Sequence, residues 1–223
     1  MRLAIGDIHG RNYWKQYLKE SFSEFYILGD YFDSPVIPFS KQYRNFIEIV
    51  KVARRDSRIK LCLGNHDYHY LGKINNERYS GFQAADWFVI QEILEENIDL
   101  LKIVYVTTDN YIISHAGLSA PFMDKMKILG VKAIEEINDA FIKDRTILNF
   151  DGNDIHGDDI TQSPIWIRPD SLCTAPIAGH NQIVGHTPKY ELKEVFVPDP
   201  ENMNSNIKIA FIDTGSMDLI YRF

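Results

Sequence analysis

Five times along this chain a short apolar run stops at a small residue and is followed at once by side chains that can hold a metal ion. Leu3-Ala-Ile5 leads into Gly6-Asp7-Ile8-His9-Gly10, Phe25-Tyr-Ile-Leu28 into Gly29-Asp30-Tyr31-Phe32-Asp33, and Ile59-Lys-Leu-Cys-Leu63 into Gly64-Asn65-His66-Asp67. Tyr111–Ser114 then delivers His115 in Ser114-His-Ala-Gly117, and Ile183-Val184 delivers His186 in Gly185-His-Thr-Pro188. Loops leaving the carboxyl ends of parallel strands line a common crevice in an open α/β sheet, so the repetition points to one shared site. Glycine at each turn lets the backbone bend tightly and come close to a bound ion or phosphate.

Between the strands the spacing turns helical. Phe39, Tyr43, Phe46, Ile47, Val50 and Ala53 recur three and four apart, which predicts a helix over about 41–55 that packs back on the sheet. Strands with helices between them are the pattern of right-handed βαβ crossovers. Trp14, Tyr17, Leu18 and Ser21 predict an amphipathic helix over 12–22 with Asn12 as its cap. Its amino end would offer N–H groups to a phosphate beside Asp7 and His9, with Arg11 alongside. A further helix is expected over 84–96, and a hairpin over 101–107 and 111–114 around Thr108-Asp-Asn110. Residues 121–147 read as helical and face-covering, with Ile134, Ile137, Phe141 and Ile142 on the buried side. Strands at 193–197, 207–212 and 217–223 suggest an antiparallel sheet closing the fold.

Composition bounds the partners. A length of 223 residues suits one α/β domain with a full core. Apolar residues at 45% and charged residues at 25% exclude disordered and fibrous classes. A net charge of −7 argues against a broad nucleic-acid-binding face. No apolar run approaches the ~20 residues that span a bilayer, and no long apolar segment precedes the first polar loop. The cytosol is the expected compartment. Cys62, inside the third strand, and Cys173 are expected as reduced thiols.

Other candidates are weaker. His69 follows the third motif and reads as a pocket-rim or structural histidine. His156 lies in a turn-rich stretch, 151–159, whose spacing does not match an EF-hand loop. His180 lacks a strand leading into it, so His186 is preferred. Ser163-Pro-Ile-Trp166-Ile-Arg168-Pro169 sets an arginine between apolar residues, and its guanidinium can clamp a phosphate bidentately.

The five motifs in this order, with Trp166-Ile-Arg168 and Asp213-Thr-Gly215, resemble the calcineurin-like metallophosphoesterases. Within that superfamily the chain is most similar to the branch holding the serine/threonine phosphoprotein phosphatases, the phage lambda-type phosphatases and the bacterial dinucleoside tetraphosphatases. The resemblance covers essentially the whole chain. It implies a single metallophosphoesterase domain over 1–223, an α/β fold built as a four-layer α/β/β/α sandwich of two mixed sheets flanked by helices. It also implies two adjacent divalent cations. Asp7, His9 and Asp30 would hold the first, with Asp30 bridging to a second held by Asn65, His115 and His186. This ligand set suits manganese, the first choice, and also iron or zinc.

His66 would be the general acid, oriented by Asp33, with Arg168, Asn65 and Arg11 on the substrate phosphate. Two cations ~3.5–4 Å apart stabilise both the entering and the leaving oxygen and lower the pKa of a shared water toward ~7. Hydroxide then attacks directly, and no serine or cysteine nucleophile is needed. An imidazole beside a carboxylate keeps the proton that a leaving alkoxide requires. The implied function is hydrolysis of phosphate monoesters or dinucleoside polyphosphates. The alternatives are a phosphodiesterase or nuclease of the same superfamily, and a non-catalytic metal-binding scaffold. The expected partner is a phosphorylated substrate, whether phosphoprotein, nucleotide or small phosphoester; neither nucleic acid nor a membrane is expected. One departure stands out: Ser34-Pro35 follows Asp33 where relatives carry Arg-Gly. The phosphate contact then falls to Arg168 with Arg11 or Arg44, or the substrate is not a simple phosphomonoester.

Overall fold

Alternation along three short buried strands sorts their side chains onto two faces. In β1 (Leu3–Ile5), β2 (Phe25–Ile27) and β3 (Ile59–Cys62), the residues Leu3, Ile5, Phe25, Ile27 and Leu61 pack into a large core with Trp14, Phe46, Ile49 and Val50. Ala4, Tyr26 and Cys62 point the other way, toward Ile113, Ile183, Ala210 and Ile212 of a second sheet. This is the computed structural model of the chain, which describes residues 1–71, 80–151, 154, 156–189, 191–215 and 219–223.

The remaining elements are α1 (Trp14–Tyr17), α2 (Phe39–Arg55), α3 (Asn65–Tyr68), α4 (Trp87–Glu95), β4 (Leu101–Lys102), β5 (Val104–Val106), β6 (Tyr111–Ser114) and α5 (Ala120–Ile128). They continue with α6 (Glu136–Lys143), a 3-10 turn (Arg145–Leu148), α7 (Pro169–Thr174), β7 (Asn181–Val184), β8 (Lys193–Asp199), β9 (Asn202–Phe211) and β10 (Tyr221–Arg222). One sheet runs β10-β1-β2-β3-β4 and the other β5-β6-β7-β9-β8. Both are mixed, they pack face to face, and helices cover their outer faces, which is the expected sandwich. On the far side Leu172 of α7 packs against Val184, Ile209 and Phe211.

Register decides where the loops emerge. β1, β2 and β3 are parallel neighbours, with Leu3 opposite Phe25 and Phe25 opposite Ile59. In the second sheet β6 and β7 are parallel, with Ile113 opposite Ile183. The motif loops of each sheet therefore leave side by side.

Several local expectations change. The segment 12–22 keeps only the four-residue α1, and its cap position is Tyr13 with no side-chain cap. The indole of Trp14 donates to Asn45 Oδ1 at 3.0 Å, so a tertiary contact, not a capped amphipathic helix, sets this stretch. The run 101–107 divides between the sheets: β4 pairs with β3, and β5 pairs with β6. Asn138 seals the break, since its Oδ1 accepts Ile103 N–H at 2.8 Å while its amide donates to the Val104 carbonyl at 2.9 Å. The stretch 121–147 is α5, α6 and the 3-10 turn, and Ile142 is 52% exposed instead of buried. In the tail β8 and β9 are antiparallel, yet β9 lies parallel to β7, and β10 joins the other sheet antiparallel to β1. Residues 217 and 218 of the expected last strand, and 152, 153 and 155 of the turn-rich stretch, lie outside the described residues. Both cysteines are free thiols. No helix among the described residues is long and apolar enough to cross a membrane.

Phe46 links this core to the loop after β2. Its ring is fully buried, with centroids 4.9 Å from Tyr31 and 5.3 Å from Phe32. Phe46→Ala is expected to cost about 3–5 kcal/mol of stability through lost burial and a residual cavity. Urea unfolding measures this; a cost under about 1 kcal/mol would mean that the loop collapses into the space.

Candidate metal centre and active site

The loops after the first two strands continue the parallel pairing. Ile8 N–H donates to Gly29 O at 3.2 Å and Gly10 N–H to Tyr31 O at 3.0 Å. Asp67 ties in the third loop: its carboxylate accepts N–H groups from Asp30 at 2.8 Å, Tyr31 at 2.8 Å and Gly64 at 3.0 Å. The two sheets meet where His186 N–H donates to Asp7 Oδ1 at 2.9 Å. Close backbone approach explains Gly185, because a Cβ there would sit 2.6 Å from Asp7 Oδ1; at Gly64 it would overlap the Asp30 carboxylate.

These contacts commit one oxygen of each carboxylate and leave the other free. Asp7 Oδ1 accepts His186 N–H, and Asp30 Oδ1 accepts His66 N–H at 2.9 Å. Asp7 Oδ2 and Asp30 Oδ2 lie 4.0 and 3.8 Å from His9 Nε2, and Asp30 Oδ2 lies 3.6 Å from His115 Nε2. Backbone carbonyls fix two tautomers. The Nδ1 atoms of His9 and His115 meet Phe32 O at 2.6 Å and Leu28 O at 2.7 Å, so Nδ1 carries the proton and Nε2 presents a lone pair.

Around Asn65 Oδ1 the lone pairs crowd. His115 Nε2 and His186 Nδ1 each lie 2.9 Å from it and 3.2 Å from one another. His186 Nε2 is buried with no hydrogen-bond partner among the described residues. Acceptors outnumber protons here, an arrangement that a cation would satisfy. Charge points the same way: burial, with Asp213 and Asp30 nearby, pushes the Asp7 carboxyl well above the usual carboxylate range. Burial also lowers His115 and His186, keeping both imidazoles neutral as ligation requires. The residues present thus fit a pair of divalent cations.

Backbone strain concentrates at the same place. His9, Asp30, Asp33 and His186 have φ of 42°, 51°, 64° and 65°, and Asn110 is the one other described non-glycine residue at positive φ. Such conformations persist where the surroundings over-determine them, typically at functional sites.

A cavity of about 360 Å³ opens over these donors, lined by Asp7, His9, Asp30, Asn65, His66, Ser80, Trp166, Arg168, His186 and Pro188. His66 Nδ1 lies 2.9 Å from Asp33 Oδ2, which turns Nε2 away from the carboxylate. Burial lowers the His66 pKa, but Asp30 and the bond to Asp33 outweigh it and the net shift is upward. Arg168 enters from the second sheet's side, steered by Nε to His156 O at 2.7 Å and Nη1 to Thr187 Oγ1 at 3.2 Å.

Of the predicted site residues, Asp33, His115 and Arg11 do not line this cavity; Asp33 and His115 meet lining residues directly, and Arg11 turns elsewhere. Its guanidinium folds back to donate to the Asp7 backbone carbonyl. It lines a neighbouring cleft with Lys15, Lys41 and Arg44, so neither Arg11 nor Arg44 is a lining residue over the donor cluster. Arg11 thus lies beside the donor cavity and not within it; a loop residue's direction depends on what the loop folds against. His69 is not at the rim: its side chain is fully buried, with Nε2 2.7 Å from Asp33 Oδ2. The His66-x-x-His69 spacing was the available signal for it. Tyr70, whose hydroxyl donates to Asp33 Oδ1, and the loop-binding Asp67 were also missed as functional supports.

Gly185→Ala is expected to weaken affinity for an added divalent metal about 10–100-fold by displacing the Asp7 carboxylate, a loss of the size seen when ligand orientation is disturbed. Isothermal titration of the metal tests this, and unchanged affinity would show that Asp7 tolerates the shift.

Fold and site together define a metal-dependent phosphoric ester hydrolase. The sequence profile of the calcineurin-like phosphoesterases matches residues 2–199, and the chain belongs to that family. Among solved structures it is similar to the cold-active protein-tyrosine phosphatase of a psychrophilic Shewanella species, at TM-score 0.62 and 16% identity over 97% of this chain and 71% of that one. It is also similar to a protein serine/threonine phosphatase of Saccharomyces cerevisiae described as similar to human phosphatase PP5, at TM-score 0.51 and 14% identity over 94% of this chain and 66% of that one. At such identity these likenesses establish the fold alone. No curated protein sequence matches this one.

Proposed function

We propose that the chain hydrolyses phosphate monoesters, or the anhydride bonds of dinucleoside polyphosphates, with two divalent cations, manganese first. The observation that carries this is the convergence of Asp30, Asn65, His115 and His186 donor atoms beneath a cavity lined by Arg168 and by His66, whose Nδ1 faces Asp33. Asp7, His9 and Asp30 would hold one cation, and Asp30, Asn65, His115 and His186 the other. Bound there, the cations would supply charge to the phosphoryl oxygens and an activated water at neutral pH.

The protein's own groups do the rest. Arg168 draws the phosphoryl group in and orients it. Asp33 holds the Nδ1 side of His66, so that Nε2 is the atom able to give a proton to the leaving oxygen. Asn65 would meet a substrate oxygen as well as a cation. The solved neighbours described as phosphoprotein phosphatases favour phosphomonoesters as the first class to try. Free thiols at Cys62 and Cys173 suit action in the cytosol.

The test is a turnover panel with and without manganese: p-nitrophenyl phosphate and its bis ester, phosphoserine and phosphotyrosine peptides, a dinucleoside tetraphosphate and a cyclic nucleotide. The expected result is metal-dependent, chelator-sensitive hydrolysis of a monoester or of the tetraphosphate. Turnover of the bis ester and cyclic nucleotide alone would replace this reading with a phosphodiesterase. No turnover, with metal bound, would leave a metal-binding scaffold.

A further inference from the structure

We propose that His69 is a positioning residue for the acid step, locking Asp33 in the orientation that aims His66 into the cavity. The inference rests on the phosphoesterase reading above. Asp33 sits at φ 64°, a conformation a carboxylate residue holds only when its surroundings fix it. They do. Its Oδ2 receives His66 Nδ1 at 2.9 Å and lies 2.7 Å from His69 Nε2, while its Oδ1 receives the Tyr70 hydroxyl and Gln83 Nε2 at 3.3 Å.

A carboxylate offers about four acceptor positions, and here donors occupy both oxygens. The group cannot turn about its Cβ–Cγ bond without breaking several bonds at once. His69 is itself held: its ring lies edge-on to Tyr70, Phe82 and His66 at centroid distances of 4.4, 5.0 and 5.6 Å. Burial lowers its pKa. The His69 backbone N–H donates to Asn65 O at 3.3 Å, while its Nε2 faces Asp33.

The step it serves is simple in its balance. Water oxygen forms the new bond to phosphorus and releases one proton to solvent, the bond to the leaving oxygen breaks with its electron pair, and that oxygen takes the proton from His66 Nε2, which solvent then restores. A misaimed His66 penalises only those leaving groups that need the proton. This separates a positioning role from a purely structural one.

The experiment compares His69→Phe, His69→Gln and Tyr70→Phe, loaded with manganese, on phenyl phosphate and p-nitrophenyl phosphate. His69→Phe is expected to lower kcat on phenyl phosphate about 10-fold more than on p-nitrophenyl phosphate, and His69→Gln, which restores a donor, recovers part of it. In a His66→Asn background His69→Phe should cost nothing further, because the two act as one unit. Equal losses on both esters, or a full extra loss in that background, overturn the proposal.

Exchange protection of the His66 Nδ1 proton, followed by NMR, is a readout independent of turnover: the wild type should protect it and His69→Phe should release it. If the wild type hydrolyses no ester, the proposed function fails, and this comparison still decides whether His69 holds the pair. Should His69→Phe not fold, Tyr70→Phe removes a single hydroxyl and must show the same leaving-group dependence. Asp33, His66 and His69 could also gather around a cation. A third bound equivalent of metal that disappears in His69→Gln would likewise overturn the positioning role.

Discussion

Asp30→Asn is expected to lower kcat/KM by about 10³-fold, the loss of several kcal/mol of electrostatic stabilisation at the reacting phosphoryl group. The reason is local. Asp30 Oδ2 is the carboxylate oxygen facing both His9 and His115, so the charge removed is the one the two groups of donors share. The fold should survive, because the amide oxygen of Asn can still accept His66 N–H as Asp30 Oδ1 does. Circular dichroism controls for folding, and metal analysis of the purified variant should show occupancy falling with activity. A variant that keeps full activity and two equivalents of metal would remove Asp30 from the shared position.

His66→Asn is the second large effect, and its size depends on the leaving group. On phenyl phosphate, whose departing oxygen needs a proton, the expected loss is about 10²–10⁴-fold, the usual worth of a positioned general acid. On p-nitrophenyl phosphate the loss should be much smaller, since that phenolate leaves unprotonated. Metal content should hold, because His66 Nδ1 is directed at Asp33 and not at the donor cluster. Equal losses on both substrates would show that His66 binds or supports and does not transfer the proton.

The two variants separate functions that share a cavity. Asp30→Asn should act on charge and metal, while His66→Asn should act on one proton. His69→Phe should resemble the second in pattern and fall short of it in size.

How much was legible follows from whether a residue's role was written in its immediate neighbours. Asp7, His9, Asp30, Asn65, His115 and His186 each stand within three residues of a glycine or strand end that can be read locally, and the structure brings all six together. Helix α2 was legible as an element, but its buried face takes in Gln42, Asn45 and Ile49 beside Phe46, Val50 and Ala53, while Phe39, Tyr43 and Ile47 are half-buried. The partition of 101–107 was not legible: Leu101, Ile103 and Val104 are all buried and apolar, and only the Asn138 side chain, far along the chain, marks where one sheet ends and the other begins. The short helix at 14–17 failed for the same reason, as Trp14 is fixed by Asn45 and not by its own turn.

By itself, then, the sequence determined the class of the fold and which metal-capable side chains gather, because short buried strands ending in glycine bring their next polar residues to the strand ends. Tertiary structure alone decided which polar groups serve them. Arg11 was turned away by the Asp7 carbonyl, Arg168 was brought over the donors by contacts to His156 and Thr187, and Asp33 was clamped by His69 and Tyr70. Hydrogen bonds between groups distant in the chain depend on distance and angle in the folded state, and those quantities do not exist until the sheets have packed.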